Sequence, residues 1–384
     1  MTERVKSPFH EWTLASSGPL RVGFVSGDLH AHPVGYFMEN LLRGLEAGTL
    51  ELFAYPTRIR EDEVTRRLKP YFSRWMPIQG LSDQAAARLI HDDGVHILID
   101  LSGHTAYNRL PMFAWKPAPI QASWMGYFAT TGMAEMDYFI GDPYVLPEAE
   151  VDHFTETMWP LPESYLCMMP PHEAPEVSVL PGLVNGFITF GSFNNLSKMN
   201  DQVVGLWAKV LEANPGSKLF LKTMQLNDQG VQDVTKERFA AHGIEPDRLI
   251  LEGHSPRTEL LAAYGRMDIA LDPFPYPGGT TSAEALWMGV PVLTKRGDRF
   301  LSHVGESVVS NAGLADWIAR DEADYIEKSR LVAADIQRLA QLRSGLRERL
   351  VQSPLFDGRH YARQFERAMM GMWNKWQATQ EDMQ

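Results

Sequence analysis

The apolar positions of this chain fall in short runs separated by longer amphipathic stretches. Leu20–Val25 is followed by Gly35–Ala47, Leu50–Tyr55 by Glu61–Pro70, and Ile97–Leu101, further on, by Tyr138–Ile140. Continuous short runs suit strands covered on both faces, and the amphipathic stretches suit the helices that cover them. The alternation predicts βαβ units, hence a parallel sheet between two helical layers. Pro170, Pro171, Pro175 and Pro181 interrupt the pattern, which predicts a linker over residues 170–186.

The rhythm then restarts with Phe187–Phe190, a helix from Asp201 to Asn214, Lys218–Lys222, a helix around Gln229–His242, Leu249–Leu251, Glu259–Arg266, Ile269–Leu271, Ala283–Met288 and Val290–Thr294. The expected organisation is an α/β fold of two Rossmann-like domains, 1–169 and 187–355, facing a cleft at the carboxyl ends of their sheets, where open α/β folds bind ligands. A last helix, 356–384, carries Tyr361, Phe365, Met369, Met372 and Trp376 at helical spacing. That apolar stripe is expected to pack back on the body of the protein.

Asp272-Pro-Phe-Pro-Tyr-Pro-Gly-Gly-Thr-Thr-Ser-Ala-Glu284 leads from a strand through a turn into a helix. Gly278 and Gly279 let backbone come close to a ligand, and Thr280, Thr281 and Ser282 fall where a helix start leaves N–H groups unpaired, which favours an anion. Glu284, a turn further on, is placed to accept hydrogen bonds from ribose hydroxyls. The stretch therefore reads as a nucleotide diphosphate cradle, although a capped strand-turn-helix accounts for the same residues.

Phe187-Ile-Thr-Phe-Gly-Ser-Phe-Asn-Asn-Leu-Ser-Lys198 is a second strand-to-turn passage. A lysine at this place can stabilise the charge on a departing nucleotide without a metal, with Asn194 and Asn195 supplying amides; a solvated turn lysine is the plainer alternative. In the first domain Asp28, His30 and His32 follow the first strand, and His104 follows the strand Ile97–Leu101. No third and fourth ligand accompany His30 and His32, so an acid/base or positioning role is expected rather than a metal pair. His96, at a strand start, reads as structural.

At 384 residues the chain is long enough for two cores. A net charge of −12 without a basic run argues against nucleic acid as a partner. The lone Cys167 excludes an internal disulfide framework and a cysteine-built zinc site. Met-Thr-Glu-Arg-Val-Lys-Ser-Pro carries no apolar signal, and no run is long enough to cross a bilayer, so a cytoplasmic protein without a membrane partner is expected.

With these residues read, the chain resembles the catalytic region of the protein O-GlcNAc transferase and SPINDLY family, which has a two-Rossmann-domain glycosyltransferase B-type fold. The resemblance runs over nearly the whole chain. It is carried by Asp28-Leu-His-Ala-His-Pro33, Gly94-Val-His-Ile-Leu98, Leu101-Ser-Gly-His-Thr105, Lys116-Pro-Ala-Pro-Ile-Gln121, Trp124-Met-Gly-Tyr127, Gly191-Ser-Phe-Asn-Asn-Leu-Ser-Lys198, Leu271-Asp-Pro-Phe-Pro-Tyr276, Gly279-Thr-Thr281 and Ser353-Pro-Leu-Phe356. The lysine motif and Glu284 bring it closer to SPINDLY-like members.

The resemblance implies inverting, metal-independent transfer of a sugar from a nucleotide sugar to Ser/Thr hydroxyls of proteins, with no cofactor. UDP-GlcNAc is the foremost donor, and UDP-glucose and GDP-fucose are alternatives. Asparagine N-glucosyl transfer and a non-catalytic nucleotide-sugar-binding module also fit. By resemblance Lys198 contacts the diphosphate, with Asn195 beside it, Thr280 and Thr281 bind phosphate, and Glu284 holds the ribose. His32 lies between sugar and acceptor, and Met125, Gly126 and Tyr127 line the sugar pocket. Gly279 and Phe128 stand where animal O-GlcNAc transferases have His and Pro. Only Met1–Pro19 precedes the first strand, so the tandem acceptor-presenting repeats are expected to be missing, and acceptor recognition is expected to come from elsewhere or from a partner.

Overall fold

A computed structural model describes residue 5 and residues 7–15, 18–171 and 174–382. The chain divides into two compact units. Met1–Met169 and Asp357–Gln384 make the first, and Pro170–Phe356 the second.

The first unit holds a seven-stranded sheet of β1 (Leu20–Ser26), β2 (Leu50–Pro56), β3 (Arg74–Trp75), β4 (Ile97–Asp100), β5 (Ile120–Trp124), β6 (Tyr138–Gly141) and β7 (Thr157–Pro160), in the order β3-β2-β1-β4-β5-β6-β7. All neighbours run parallel. The strand order reverses between β1 and β4, so the loops after these two strands diverge and open a crevice at their carboxyl ends. His30 and His32 are on the first of these loops and His104 on the second.

The second unit repeats the design with β8 (Thr189–Ser192), β9 (Lys218–Lys222), β10 (Leu249–Glu252), β11 (Ile269–Leu271), β12 (Val292–Lys295) and β13 (Ile318–Ala319), in the order β10-β9-β8-β11-β12-β13. These too are parallel. The switch point lies between β8 and β11, whose following loops carry Lys198 and the Asp272–Thr280 stretch. The α/β class expected from the alternation of apolar runs is thus present twice.

β5 lies outside the strands read from periodicity because Gln121 and Ser123 interrupt its apolar run. Both are buried, and their donors are paired internally: Gln121 Nε2 donates to Phe113 O (3.0 Å) and Glu135 O (2.8 Å), and Ser123 Oγ to Asp100 Oδ2 (3.3 Å). Part of the proline-rich stretch is fastened to the second unit. Arg343 Nε donates to Ser178 O (2.8 Å), and the amide of Gly182, in the short helix Pro181–Asn185, donates to Asp268 Oδ1 (2.7 Å).

The final helix, Gly358–Glu381, completes the first unit, with Asp357 capping its start by accepting from His360 N (3.0 Å). It runs against helix Pro33–Gly44 so closely that a Cβ on Gly44 would meet Gly358 O at 2.2 Å. Phe365 is fully buried, 5.2 Å from the Trp124 ring and 6.3 Å from Phe24, and Tyr361 Oη donates to Tyr165 O (2.7 Å). Among the described residues no helix is long and apolar enough to cross a membrane.

Because Phe365 joins that helix to strands β1 and β5, Phe365→Ala is expected to cost about 3–5 kcal/mol, as for other buried aromatic truncations. Equilibrium urea unfolding followed by tryptophan fluorescence should show a lower midpoint for the transition that reports the first unit.

Candidate functional site

In the second unit two loops meet at the switch point. After β8, the Asn195 side chain accepts from Ser197 N (2.9 Å) and starts a single 3-10 turn, Leu196–Lys198. Asn200 then caps helix Asp201–Ala213 and donates to Phe274 O (3.0 Å), tying this loop to the one after β11. The Lys198 ammonium donates to Pro277 O (2.8 Å) and Asn194 Oδ1 (3.4 Å) and lies 3.8 Å from the centre of the Tyr276 ring. Two of its three protons are used, and one is left for an incoming oxygen.

Helix Thr280–Trp287 begins without a side-chain cap on Gly279. Its first intrahelical bond is Ala283 N to Gly279 O (3.0 Å), so the amides of Thr280, Thr281 and Ser282 lie ahead of the ladder at the positive end of the helix dipole. Thr281 Oγ1 donates to Asn194 Oδ1 (2.9 Å), the same oxygen that Lys198 approaches. Asn194, Lys198 and Thr281 therefore form one polar cluster beside free helix-start amides.

Asp272 fixes this turn. It is buried at the end of β11, where Oδ1 accepts from Gly278 N (3.2 Å) and Ser282 Oγ (2.6 Å). A Cβ on Gly278 would meet Ser282 Oγ at 2.1 Å and Asp272 Oδ1 at 3.0 Å, so only glycine fits there. Gly279 differs, because a Cβ on it would meet nothing within 4 Å. Burial pushes the Asp272 carboxyl up to about 6, against the pull of its hydrogen bonds and of Lys198. Burial also lowers the Lys198 amine to about 8, with Asp272 opposing the shift.

Glu284 is on the helix side that the sequence suggests, but its carboxylate is already engaged. Arg257 donates to Oε1 at 2.7 Å, and Tyr264 Oη lies 3.5 Å from Oε2. The Glu284 side chain is 6% exposed and that of Arg257 53%. A ribose would therefore share this carboxylate with a half-exposed guanidinium. Asn195 stands apart from the cluster, since its side chain accepts from Gln225 Nε2 as well as from the turn it caps.

In the first unit His32 caps helix Pro33–Gly44, its Nδ1 accepting from Val34 N (3.3 Å). With Nδ1 used as an acceptor, the neutral ring carries its proton on Nε2 and presents a donor there. Burial holds the imidazole below its usual range, with Asp28, 3.9 Å from Nδ1, opposing. The His104 ring packs edge-on against Tyr127 at 5.3 Å.

The loops carrying His104 and Tyr127 touch backbone to backbone: a Cβ on Gly126 would lie 1.7 Å from Leu101 O, and one on Gly103 2.3 Å from Tyr127 Cβ. Met125, buried between them, holds φ +61, a left-handed value that only tight surroundings impose on such a side chain. Asp100, at the end of β4, does here what Asp272 does in the second unit. Its oxygens accept from Ser102 N (3.2 Å) and Gly103 N (2.7 Å), and burial raises it to about 6. His96 is held by contacts within the first unit: Nδ1 accepts from Arg21 N (3.1 Å), and the ring packs on Trp373.

Motif reading missed Asp272, Asp100, Tyr276 and Arg257. The two aspartates had a visible signal, a single acid closing an apolar run, Ile-Leu-Ile-Asp100 and Ile-Ala-Leu-Asp272. Tyr276 lay inside a quoted motif without a role, and Arg257 had no signal, since the contact of each is with a partner distant in sequence. Among the described residues no three His, Cys, Asp or Glu side chains gather as a metal-ligand group.

Known proteins are similar to this chain in sequence and in fold. A Petunia hybrida protein described as a probable UDP-N-acetylglucosamine–peptide N-acetylglucosaminyltransferase SPINDLY is 37% identical over 97% of this chain and 41% of its own length. Its counterpart in Oryza sativa subsp. japonica is 38% identical over 93% of this chain and 39% of its own length. The chain thus spans about two fifths of these curated relatives. A solved mutant of the Thermobaculum terrenum O-GlcNAc transferase is 37% identical, with a TM-score of 0.89, over 94% of this chain and 69% of that one. The Anabaena protein HepE, solved with UDP and glucose, has a TM-score of 0.58 at 11% identity over 92% of this chain and 100% of its own, a likeness of fold alone. These neighbours share the glycosyltransferase B-type fold, and the profile of glycosyl transferase family 41 matches residues 3–173 and 178–365. The chain belongs to glycosyl transferase family 41.

Proposed function

We propose that this chain is a metal-independent, inverting glycosyltransferase that moves a sugar, GlcNAc foremost, from a uridine diphosphate donor to a serine or threonine hydroxyl of a protein. The observation that carries the reading is the partly desolvated Lys198 ammonium held beside the uncapped start of helix Thr280–Trp287. The relatives described as UDP-N-acetylglucosamine–peptide transferases support the choice of donor and acceptor.

In a single displacement the acceptor oxygen bonds to the sugar's C1 as the bond from C1 to the β-phosphate oxygen breaks. The electron pair leaves with the nucleotide diphosphate, and the hydroxyl proton passes to a base or to water. Lys198, Thr280, Thr281 and the helix-start amides act on the negative charge that grows on the leaving diphosphate, which supplies electrostatic stabilisation of the kind a metal provides elsewhere. His32, presenting Nε2–H, positions the acceptor. His104, Met125, Gly126 and Tyr127 shape the sugar pocket, Glu284 receives the ribose, and Asn195 supports the Lys198 turn. Acceptor recognition beyond these loops is assigned to a protein partner or to further chain.

Transfer of labelled GlcNAc from UDP-GlcNAc to cell-extract proteins is expected to persist in EDTA and to fall on the order of 10²–10³-fold in Lys198→Ala. Undiminished transfer in that variant would overturn the mechanism. GDP binding in preference to UDP would move the reading to fucosyl transfer, and nucleotide binding without turnover on any protein would make this a binding module.

A pH dependence follows from the lysine. The amine, lowered to about 8 in the free protein, is mostly charged at pH 7 and loses its proton as pH rises through 8. UDP binding is therefore expected to weaken above pH 8 and, because the bound anion restores the charge, to be accompanied by proton uptake there. Calorimetry at pH 9 in two buffers of different ionisation enthalpy would detect that uptake, and Lys198→Met should abolish it.

A further inference from the structure

The loop that presents His32 also walls a cavity of the first unit. This cavity, of about 290 Å³, lies beside the carboxyl ends of β1 and β2, and His30, Arg58, Arg60, Glu61, Lys69 and Trp75 are among its lining residues. It is small for a nucleotide sugar and ample for one amino-acid side chain. His30 is 5% exposed, and neither ring nitrogen makes a hydrogen bond. The nearest carboxylates, Asp28 at 3.5 Å from Nε2 and Asp62 at 4.0 Å from Nδ1, do not line the cavity. A buried imidazole left unbonded in a cavity wall is costly unless something else bonds to it.

The charges of the wall indicate what that is. Lys69 and Glu61 neutralise each other at 2.6 Å. Arg58, stacked on the Tyr107 ring at 4.7 Å, and the exposed Arg60 have no ion-pair partner among the described residues. A protein with net charge −12 here keeps two uncompensated guanidiniums beside an unbonded histidine and a tryptophan. The ring of His30 is 5.8 Å from that of His32, so a polypeptide whose hydroxyl is held at His32 has its neighbouring residues within reach of this cavity.

We propose that the cavity is an acceptor subsite that receives the carboxylate of a glutamate or aspartate lying a few residues from the modified hydroxyl, with Arg58 and Arg60 binding the carboxylate and His30 donating to it. The subsite rests on the assignment of His32 to a protein acceptor. It confers sequence preference on transfer, independently of any presenting partner.

The test uses binding rather than turnover, so that it does not depend on the donor. Two fluorescent Ser-containing peptides, differing only by Glu or Gln three residues from the serine, are titrated with the full chain and followed by anisotropy. The Glu peptide is expected to bind roughly tenfold more tightly, the worth of one charge-assisted hydrogen bond. Arg60→Gln and Arg58→Gln/Arg60→Gln, checked for folding by thermal melting, should bind both peptides alike. Equal or absent binding of the two peptides to the unmodified chain overturns the subsite, as does a preference that survives the double variant. Inorganic phosphate as a competing probe provides the other arm: displacement of the Glu peptide by phosphate at concentrations below the peptide's own Kd would make this a phosphate site and remove the acceptor assignment. UDP binding that is unchanged by Lys198→Met would instead overturn the donor reading and leave the peptide result intact.

Discussion

The arrangement of the second unit depends on one buried carboxylate. Asp272 closes β11, and through Oδ1 it holds the amide of Gly278 and the hydroxyl of Ser282, two points on either side of the turn into the helix. Neutral side chains could not hold both points and also balance a lysine. Because Lys198 is drawn toward the same turn, by Pro277 O and Tyr276, the acid and the amine share a poorly solvated region and shift toward each other, Asp272 upward and Lys198 downward. An ammonium kept in such a place without a full counter-ion is primed for an anion that brings its own charge.

The same device recurs in the first unit. Asp100 ends β4 and accepts from the next loop's amides, and Asp142, just after β6, accepts from Tyr144 N, Val145 N and Tyr165 N. In each case a strand end buried in a parallel sheet needs something to bond the amides of the chain as it turns away, and a short acid does this without water. The loops that carry His104 and Thr280 are therefore held by the sheet rather than by solvent, which suits groups that must not shift as charge develops.

Much of the architecture was legible in the sequence because buried parallel strands write themselves as apolar runs. β1, β2, β4, β9 and β11 match such runs within a residue or two. β5 was not legible, because Gln121 and Ser123 are buried by pairing rather than by being apolar. At the site, the glycines, threonines and Lys198 were legible as a motif, and the helix start emerged at Thr280. The engagement of Glu284 by Arg257 was not, since a side-chain ion pair across two loops leaves no mark in local spacing. Nor was the distinction between Gly278, which admits no side chain, and Gly279, which does.

The way the chain is threaded has a consequence for the order in which the molecule is made. The first unit is begun at β1, yet it is completed by helix Gly358–Glu381, and the whole second unit is synthesised in between. On a ribosome the second unit has all its residues available before the first does, and the faces of Phe24 and Trp124 that Phe365 later covers stay open until helix Gly358–Glu381 has been translated. The earlier-born sheet is thus the later to mature, and during synthesis its uncovered aromatic face is the stretch most in need of shelter from aggregation.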